Sequence, residues 1–391
     1  MLENVKMSRA WAEVDLDAIA HNAREIKKLL SDKTKFLGVV KADGYGHGFR
    51  EVAKTLLQNG ADALGVATID EAMQLRARNI EAPILVLGHT PDMRAQDLVE
   101  HDITPTVFNY SLAKAISDEA LLAGKQAKIH ISIDTGMSRI GFGTTDDDVE
   151  KIISIYRLPG IVIEGLFTHF AKADETDRSY TDMQFEKFML MANRLEERGI
   201  NIPIKHVCNS AGVMEFPEYH LDMVRPGIVI YGHYPSEDVD KTKLDLKPAM
   251  ELKAVITHLS EKEKGTSVSY GGTYKTHKEL TKIATVPIGY ADGYLRSLSN
   301  NADMIAGGKR VPVIGRICMD QCMIDVTGVN NIAVGDEVTI FGKRGDEEIT
   351  VTELAANMGT INYEILCVIG RRIPRVYLKD GKIVNVLSYL K

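Results

Sequence analysis

The chain has 391 residues, 45% hydrophobic and 26% charged, and a formal net charge of −7. That length suits two or three domains with a core that needs neither disulfides nor metals. The acidic balance argues against nucleic acid as a partner, because phosphate binding selects basic surfaces.

The four cysteines, Cys208, Cys318, Cys322 and Cys367, are scattered or lie in apolar runs. They read as free, buried thiols of a reducing compartment. No second Cys/His pair accompanies Cys318 and Cys322, so no metal is expected. The first residues show no signal-like apolar stretch, and no run approaches the ~20 residues of a membrane span. The expectation is a cytoplasmic protein without a membrane partner.

Apolar residues from Leu16 to Leu30 follow helical spacing, and Phe36–Val40 is a short apolar run of the kind a buried parallel strand makes. Val52, Ala53, Leu56 and Leu57 mark a second helix that Gly60 stops. Thr68 and Glu71 form a capping box ahead of a third. Further strands are expected at Ala63–Ala67, Ile84–Leu87, Thr104–Phe108, Lys128–Ile133, Ile163–Phe167, His206–Cys208 and Met223–Ile230. Eight strands alternating with helices fit a (β/α)8 barrel of about 250 residues, with an open doubly wound sheet as the competing architecture. After Pro248 the texture is rich in Val, Ile and Thr. Lys253–Leu259, Lys282–Ile288, Val311–Val326 and Glu337–Phe341 read as strands. Asp380-Gly381 reads as a hairpin turn, and Thr352–Met358 as a helix. The domain expectation is a barrel over 12–243 and a mostly β domain over 244–391, with residues 1–11 packing on the latter.

The barrel active end is the C-terminal end of its strands. Lys41 falls there after the first strand, where partial desolvation makes a Schiff-base nucleophile. Arg139 follows the fifth strand, His169 the sixth, His206 and Ser210 the seventh, and Arg225 lies near the eighth. Each alone reads as a strand-end or turn residue, but together they converge on one end. In the β domain, the stretches around Tyr270, Tyr290 and Cys318 are rich in tyrosine and glycine.

The segments VVKADGYGHG, DTGMSRIG, THFAKAD, VRPGI, VSYGGTY, PIGYADGY, GRICMDQ and TINYE occur in this order. In that ordered set the chain resembles the alanine racemases over nearly its whole length. The resemblance implies a pyridoxal 5′-phosphate enzyme with a (β/α)8 barrel followed by a mostly β domain. It would interconvert L- and D-alanine, supplying D-alanine for a bacterial cell wall. Lys41 would carry the cofactor. Tyr45, Ser210, Gly227, Ile228 and Tyr363 would hold its phosphate, His169 would pack on its ring, and Arg225 would face the ring nitrogen. An arginine has a pKa above ~12, so it would leave that nitrogen unprotonated. Lys41 and Tyr270 would be the two proton-transfer groups, Tyr270 coming from the other subunit of a homodimer with shared active sites. Arg139 and the backbone of Met319 would meet the substrate, a small amino acid, and Tyr290 and Tyr363 would narrow its space.

One position departs from the pattern. Many family members carry a lysine, carbamylated to orient the arginine, where this chain has Ser132. Lys128 lies too far upstream to replace it. Arg139 is therefore expected to be held by a bound anion such as chloride, by water, or by Ser132 itself. A serine or broad-specificity racemase of the same family remains an alternative, and a decarboxylase on the same barrel is a more distant one.

Overall fold

The computed structural model describes residues 9–390. Most of the stretch 1–11 expected on the β domain, residues 1–8, lies outside the described residues. The chain divides into two compact units. Residues 18–44 and 49–247 form one, and residues 9–17, 45–48 and 248–390 the other.

β1 (Ala10–Asp15) belongs to the second unit. The first unit holds eight parallel strands: β2 (Lys35–Val39), β3 (Ala63–Val66), β4 (Ile84–Val86), β5 (Thr104–Val107), β6 (Ala127–Ser132), β7 (Ile161–Phe167), β8 (Ile204–His206) and β9 (Met223–Val224). They pair in the order β9–β2–β3–β4–β5–β6–β7–β8. Two backbone hydrogen bonds bridge the remaining gap between β8 and β9: Asp222 N–H to Lys205 O at 3.1 Å and Arg225 N–H to Cys208 O at 2.9 Å. This is a (β/α)8 barrel. Parallel strands covered on both faces must be apolar throughout, and all four residues of β3 are buried. The barrel helices start where side chains satisfy their first N–H groups. Thr68 with Glu71 and Thr145 with Asp148 form capping boxes, and Asn109 caps Tyr110–Leu122.

Two strand expectations are corrected. The seventh strand ends at His206 instead of starting there, and the eighth is only Met223–Val224. Pro226 cannot continue a ladder, and the apolar residues after it, Ile228–Tyr231, form a buried 3-10 turn instead.

The second unit continues with β10 (Met250–Val255), β11 (His258–Glu263), β12 (Ser267–Val268), β13 (Tyr274–Lys275), β14 (Leu280–Val286) and β15 (Asp303–Ala306). Then come β16 (Lys309–Pro312), β17 (Cys322–Asp325), β18 (Glu337–Arg344), β19 (Glu347–Ile349), β20 (Arg375–Lys379) and β21 (Lys382–Leu387). The main sheet runs β16–β15–β18–β10–β1–β20–β21, with β19 on β18, and β11–β14–β17 forms a smaller sheet. Residues 10–15 are thus an interior strand of this sheet, antiparallel to β10 and parallel to β20. Buried Lys253 on β10 ties the sheet together, reaching Glu13 at 2.7 Å and Glu251 at 3.0 Å. The expected strand over Val311–Val326 is two strands, because the segment around Gly315 leaves the ladder. The expected hairpin forms, with Asp380 and Gly381 both at positive φ (50° and 66°) as a two-residue turn requires. Of the four cysteines expected to be buried, only Cys208 and Cys322 are; Cys318 is partly exposed and Cys367 exposed.

Candidate active site

In the barrel unit, Lys41 follows β2 at the C-terminal end of the strands. Ala42, Asp43 and Gly44 after it are in a left-handed helical conformation, with φ of 52°, 55° and 61°. For residues with a Cβ this costs about 1–2 kcal/mol each, so neighbouring groups must enforce it. The Glu71 carboxylate accepts Ala42 N–H and Ala67 N–H, each at 2.7 Å, and Asp43 accepts Phe49 N–H at 3.0 Å. Glu71 therefore serves twice, as helix cap and as anchor of the Lys41 turn.

Arg225 is 4% exposed. Its Nη1 donates to His206 Nδ1 at 2.8 Å and His206 O at 3.0 Å, and its Nη2 to Thr168 O at 2.7 Å and Val207 O at 3.1 Å. Its guanidinium also lies 5.2 Å from the centre of the Phe167 ring. No carboxylate pairs with it among the described residues. Burial brings its pKa down to about 10, below the value expected of an arginine, yet it stays protonated at neutral pH. His169 sits beside this cation, its Nδ1 3.5 Å from Arg225 Nη2. Burial, followed by the charges of Arg225, Arg139 and Lys41, holds its pKa well below the ordinary histidine value. Four predicted residues, Lys41, Arg139, His169 and Arg225, thus share one electrostatic neighbourhood.

Gln184 fixes the loop that carries His169. Its amide donates to Thr135 Oγ1 at 3.2 Å and His169 O at 3.0 Å, and its carbonyl accepts Ala171 N–H at 2.9 Å. Ser210 Oγ accepts Gly227 N–H at 2.8 Å, bringing together two of the predicted phosphate ligands, and Ile228 follows directly, fully buried. Asp134 Oδ1 folds the turn before Arg139 by accepting Gly136 and Ser138 N–H at 3.0 and 2.9 Å. Arg139 itself is exposed and makes no ion pair or hydrogen bond with the described residues, while Ser132 is buried at the end of β6.

The second unit carries the remaining residues. Tyr45 is buried, with its ring centre 6.1 Å from that of Tyr363. Burial, then Tyr363 and Cys367, raises its pKa, so the hydroxyl remains a hydrogen-bond donor. Arg375, 2% exposed, clamps this segment, donating to Gly46 O, Ile369 O and Gly370 O at 2.8 Å each and to Ile373 O at 2.6 Å. Residue 46 must be glycine: φ is +78°, and a Cβ would stand 2.1 Å from Leu366 O.

Tyr270 is 68% exposed, Met319 50% and Tyr290 39%. Backbone contacts set these three. Ser269 holds a φ/ψ of 62°/−173°, a region natural only to glycine, and its Oγ donates to Arg316 O at 2.6 Å. Tyr290 and Ala291 N–H donate to Cys318 O and Met319 O at 3.2 and 3.0 Å. The strained serine thus aims Tyr270 from a loop resting on the segment that carries Met319.

Sequence reasoning did not assign Glu71, Gln184 or Arg375 to the site's support, nor His206 to Arg225. The signals were a capping-box glutamate, a buried glutamine within a helix, an arginine opening a strand, and a histidine ending one.

Comparison with known proteins identifies the family. The alanine racemase N-terminal domain model matches residues 14–235, and the C-terminal domain model residues 249–377. The alanine racemase of Clostridium tetani is 49% identical, over 97% of this chain and 98% of its own. That of Methanococcus maripaludis is 51% identical, over 94% and 98%. The solved alanine racemase of Clostridium difficile superposes with a TM-score of 0.95 at 45% identity, covering 98% of this chain and 100% of that one. The chain belongs to the alanine racemase family.

Proposed function

We propose that the chain interconverts L- and D-alanine with pyridoxal 5′-phosphate attached at Lys41 Nζ. The observation that carries this reading is Arg225, a buried cation held by imidazole and carbonyl acceptors with no carboxylate to neutralise it among the described residues. The donor set fits the cofactor. Arg225 would offer its one remaining N–H, on Nε, to a ring nitrogen, His169 would offer a neutral imidazole face, and Ser210, Gly227, Ile228, Tyr45 and Tyr363 would hold the phosphate. When bound, the cofactor supplies electron withdrawal from the amino acid's Cα.

The chain's own groups do the rest. Lys41 Nζ takes or returns the Cα proton on one face, and Tyr270 Oη of a partner subunit does so on the other. Because Arg225 holds its protons at neutral pH, it limits electron withdrawal and favours return of the proton to Cα. Arg139 and the Met319 backbone orient the substrate, while Tyr290 and Tyr363 restrict its side chain. The exposure of Tyr270 and Met319, with Ile361 at 60%, supports a homodimer in which a second copy covers them. An anion such as chloride near Ser132 balances Arg139. No described helix is long and apolar enough to cross a membrane.

The test is incubation of the cofactor-loaded protein in D2O with L-alanine, L-serine and L-lysine separately, following chirality and α-deuterium together. Fast formation of α-deuterated D-alanine is the expected result. Comparable turnover of serine or lysine would make the enzyme a broad-specificity racemase. Carbon dioxide release would make it a decarboxylase, and no α-exchange on any substrate would overturn the two-base reading.

A further inference from the structure

The barrel interior contains a line of polar groups that proton transfer at Cα does not use. Arg225 Nη1 is 2.8 Å from His206 Nδ1, and His206 Nε2 is 2.9 Å from His130 Nδ1. His130 Nε2 is 3.6 Å from Glu164 Oε2, and Glu164 Oε1 is 2.6 Å from Lys128 Nζ. His206 and His130 are 0% and 3% exposed. The line runs from the active end of the barrel towards the opposite mouth. There Glu164 and His130 line a cavity of about 220 Å³ together with Lys35, Asp62, Thr104 and Lys128. The chain makes room for it: a Cβ at Gly165 on β7 would stand 2.3 Å from His130 Nδ1.

The line has a direction that chemistry dictates. A guanidinium only donates, so His206 Nδ1 accepts and its proton sits on Nε2. That N–H donates to His130 Nδ1, which leaves the second proton on His130 Nε2, facing a carboxylate that only accepts. Both ends therefore demand the same pair of tautomers. Burial lowers the pKa of both histidines, so each carries a single proton at neutral pH. With the carboxylate at 164 gone, only the Arg225 end still holds the pair, and a share of the chains can carry the His130 proton on Nδ1. His206 Nδ1–H would then face the Arg225 N–H, two donors opposed in a buried site.

We infer that Glu164, at the end of the barrel remote from the reaction, is a positioning residue for Arg225: with its carboxylate 3.6 Å from His130 Nε2 it holds the proton on that nitrogen and, together with Arg225, locks the tautomers of His130 and His206, and so the direction in which the guanidinium presents its remaining N–H. The consequence for catalysis rests on the reading that Arg225 faces the cofactor ring. The tautomers do not.

The test is 1H–15N spectroscopy of the full-length, cofactor-loaded protein labelled at histidine, beside its racemisation kinetics, for the native chain, Glu164→Gln and Glu164→Leu. The native chain is expected to show His130 and His206 both protonated at Nε2 only. Glu164→Gln, which retains an acceptor, should keep this pattern and its kcat. Glu164→Leu should move the His130 proton to Nδ1 in part or whole, shift the cofactor absorption band, and lower kcat about tenfold with KM for alanine little changed. A native His206 protonated at Nδ1 would overturn the inference whether or not the leucine variant folds. So would a leucine variant with native tautomers and native kcat. The histidine shifts are read without turnover, so failure of the relay and failure of racemisation are told apart.

Discussion

The barrel unit and the β-rich unit solve the same problem, placing a reactive side chain, by opposite means. The barrel hides its polar groups and fixes them by hydrogen bonds: Arg225 is 4% exposed and has four acceptors within 3.1 Å. The β-rich unit leaves Tyr270 68% exposed and fixes it by backbone, through a serine in a glycine-like conformation. A buried group acts through its environment, so replacing it disturbs fold and function together. An exposed group on a braced loop can be replaced with little cost to the fold. Substitutions in the two units should therefore separate stability from chemistry in different proportions.

The largest expected effects test this directly. Lys41→Ala should lower kcat in both directions by at least about 10⁴-fold, since it removes both a proton-transfer group and the point of cofactor attachment. Tyr270→Phe should lower proton removal from one enantiomer by about 10²–10⁴-fold and spare the other face. Its thermal midpoint should stay close to native, because within its own chain the ring is mostly unpacked. Deuterium wash-in from D2O, measured for each enantiomer, reads the asymmetry. Equal losses for both enantiomers would remove Tyr270 from its role.

A smaller effect concerns the clamp on residues 45–48. Gly46→Ala forces a Cβ to 2.1 Å from Leu366 O at a φ of +78°. It should cost about 3 kcal/mol, read as a lower urea midpoint. Loss of cofactor affinity should follow, since Tyr45 is the preceding residue. A midpoint within error of native would mean that the segment is held more loosely than Arg375 suggests.

What the sequence discloses follows the same division. Strands β2 to β6 fall within one residue of the apolar runs that announce them, because a strand covered on both faces must be apolar. The eighth strand misleads for the same reason. Ile228–Tyr231 is fully buried, and burial in a 3-10 turn leaves the same mark on composition as burial in a strand. Motif residues such as Lys41 and Tyr270 are legible because they come in ordered, recognisable segments. His130 is not, since it stands between Ile129 and Ile131 and looks like ordinary strand alternation. Its partner lies 76 positions away, a pairing that only the closed barrel creates.

Acid should separate the units as well. Burial lowers the pKa of His130 and His206, and brings His233 to about 4, all within the barrel unit. Unfolded, these histidines take up protons below about pH 6.5, while the folded barrel refuses them. The unfolded state then binds more protons, so stability falls as pH drops below that value. Glu164 adds to this at lower pH. His130, then Lys128, hold its pKa at about 2, so its contribution is present above its unfolded pKa and is lost as pH falls towards 2. Hydrogen exchange followed from pH 7 downwards should show β6–β8 opening before the main sheet of the β-rich unit. Simultaneous opening would show that the units do not unfold independently.

The smallest effect is expected at Arg139, which has the exposed character of the β-rich unit although it sits on the barrel. Ser132 ends β6 buried, and Arg139 has no protein anion to pair with among the described residues. A screened ion pair in solvent contributes about 0.2–1 kcal/mol, which corresponds to a few-fold change in KM. Replacing chloride by a large anion at constant ionic strength should therefore raise KM for alanine by about two- to fivefold and leave kcat nearly unchanged. Ser132→Asp should weaken that dependence by supplying the charge from the protein. A KM indifferent to chloride in the native chain would mean that water or the Ser132 hydroxyl suffices to set Arg139, and that substrate orientation at this position needs no anion.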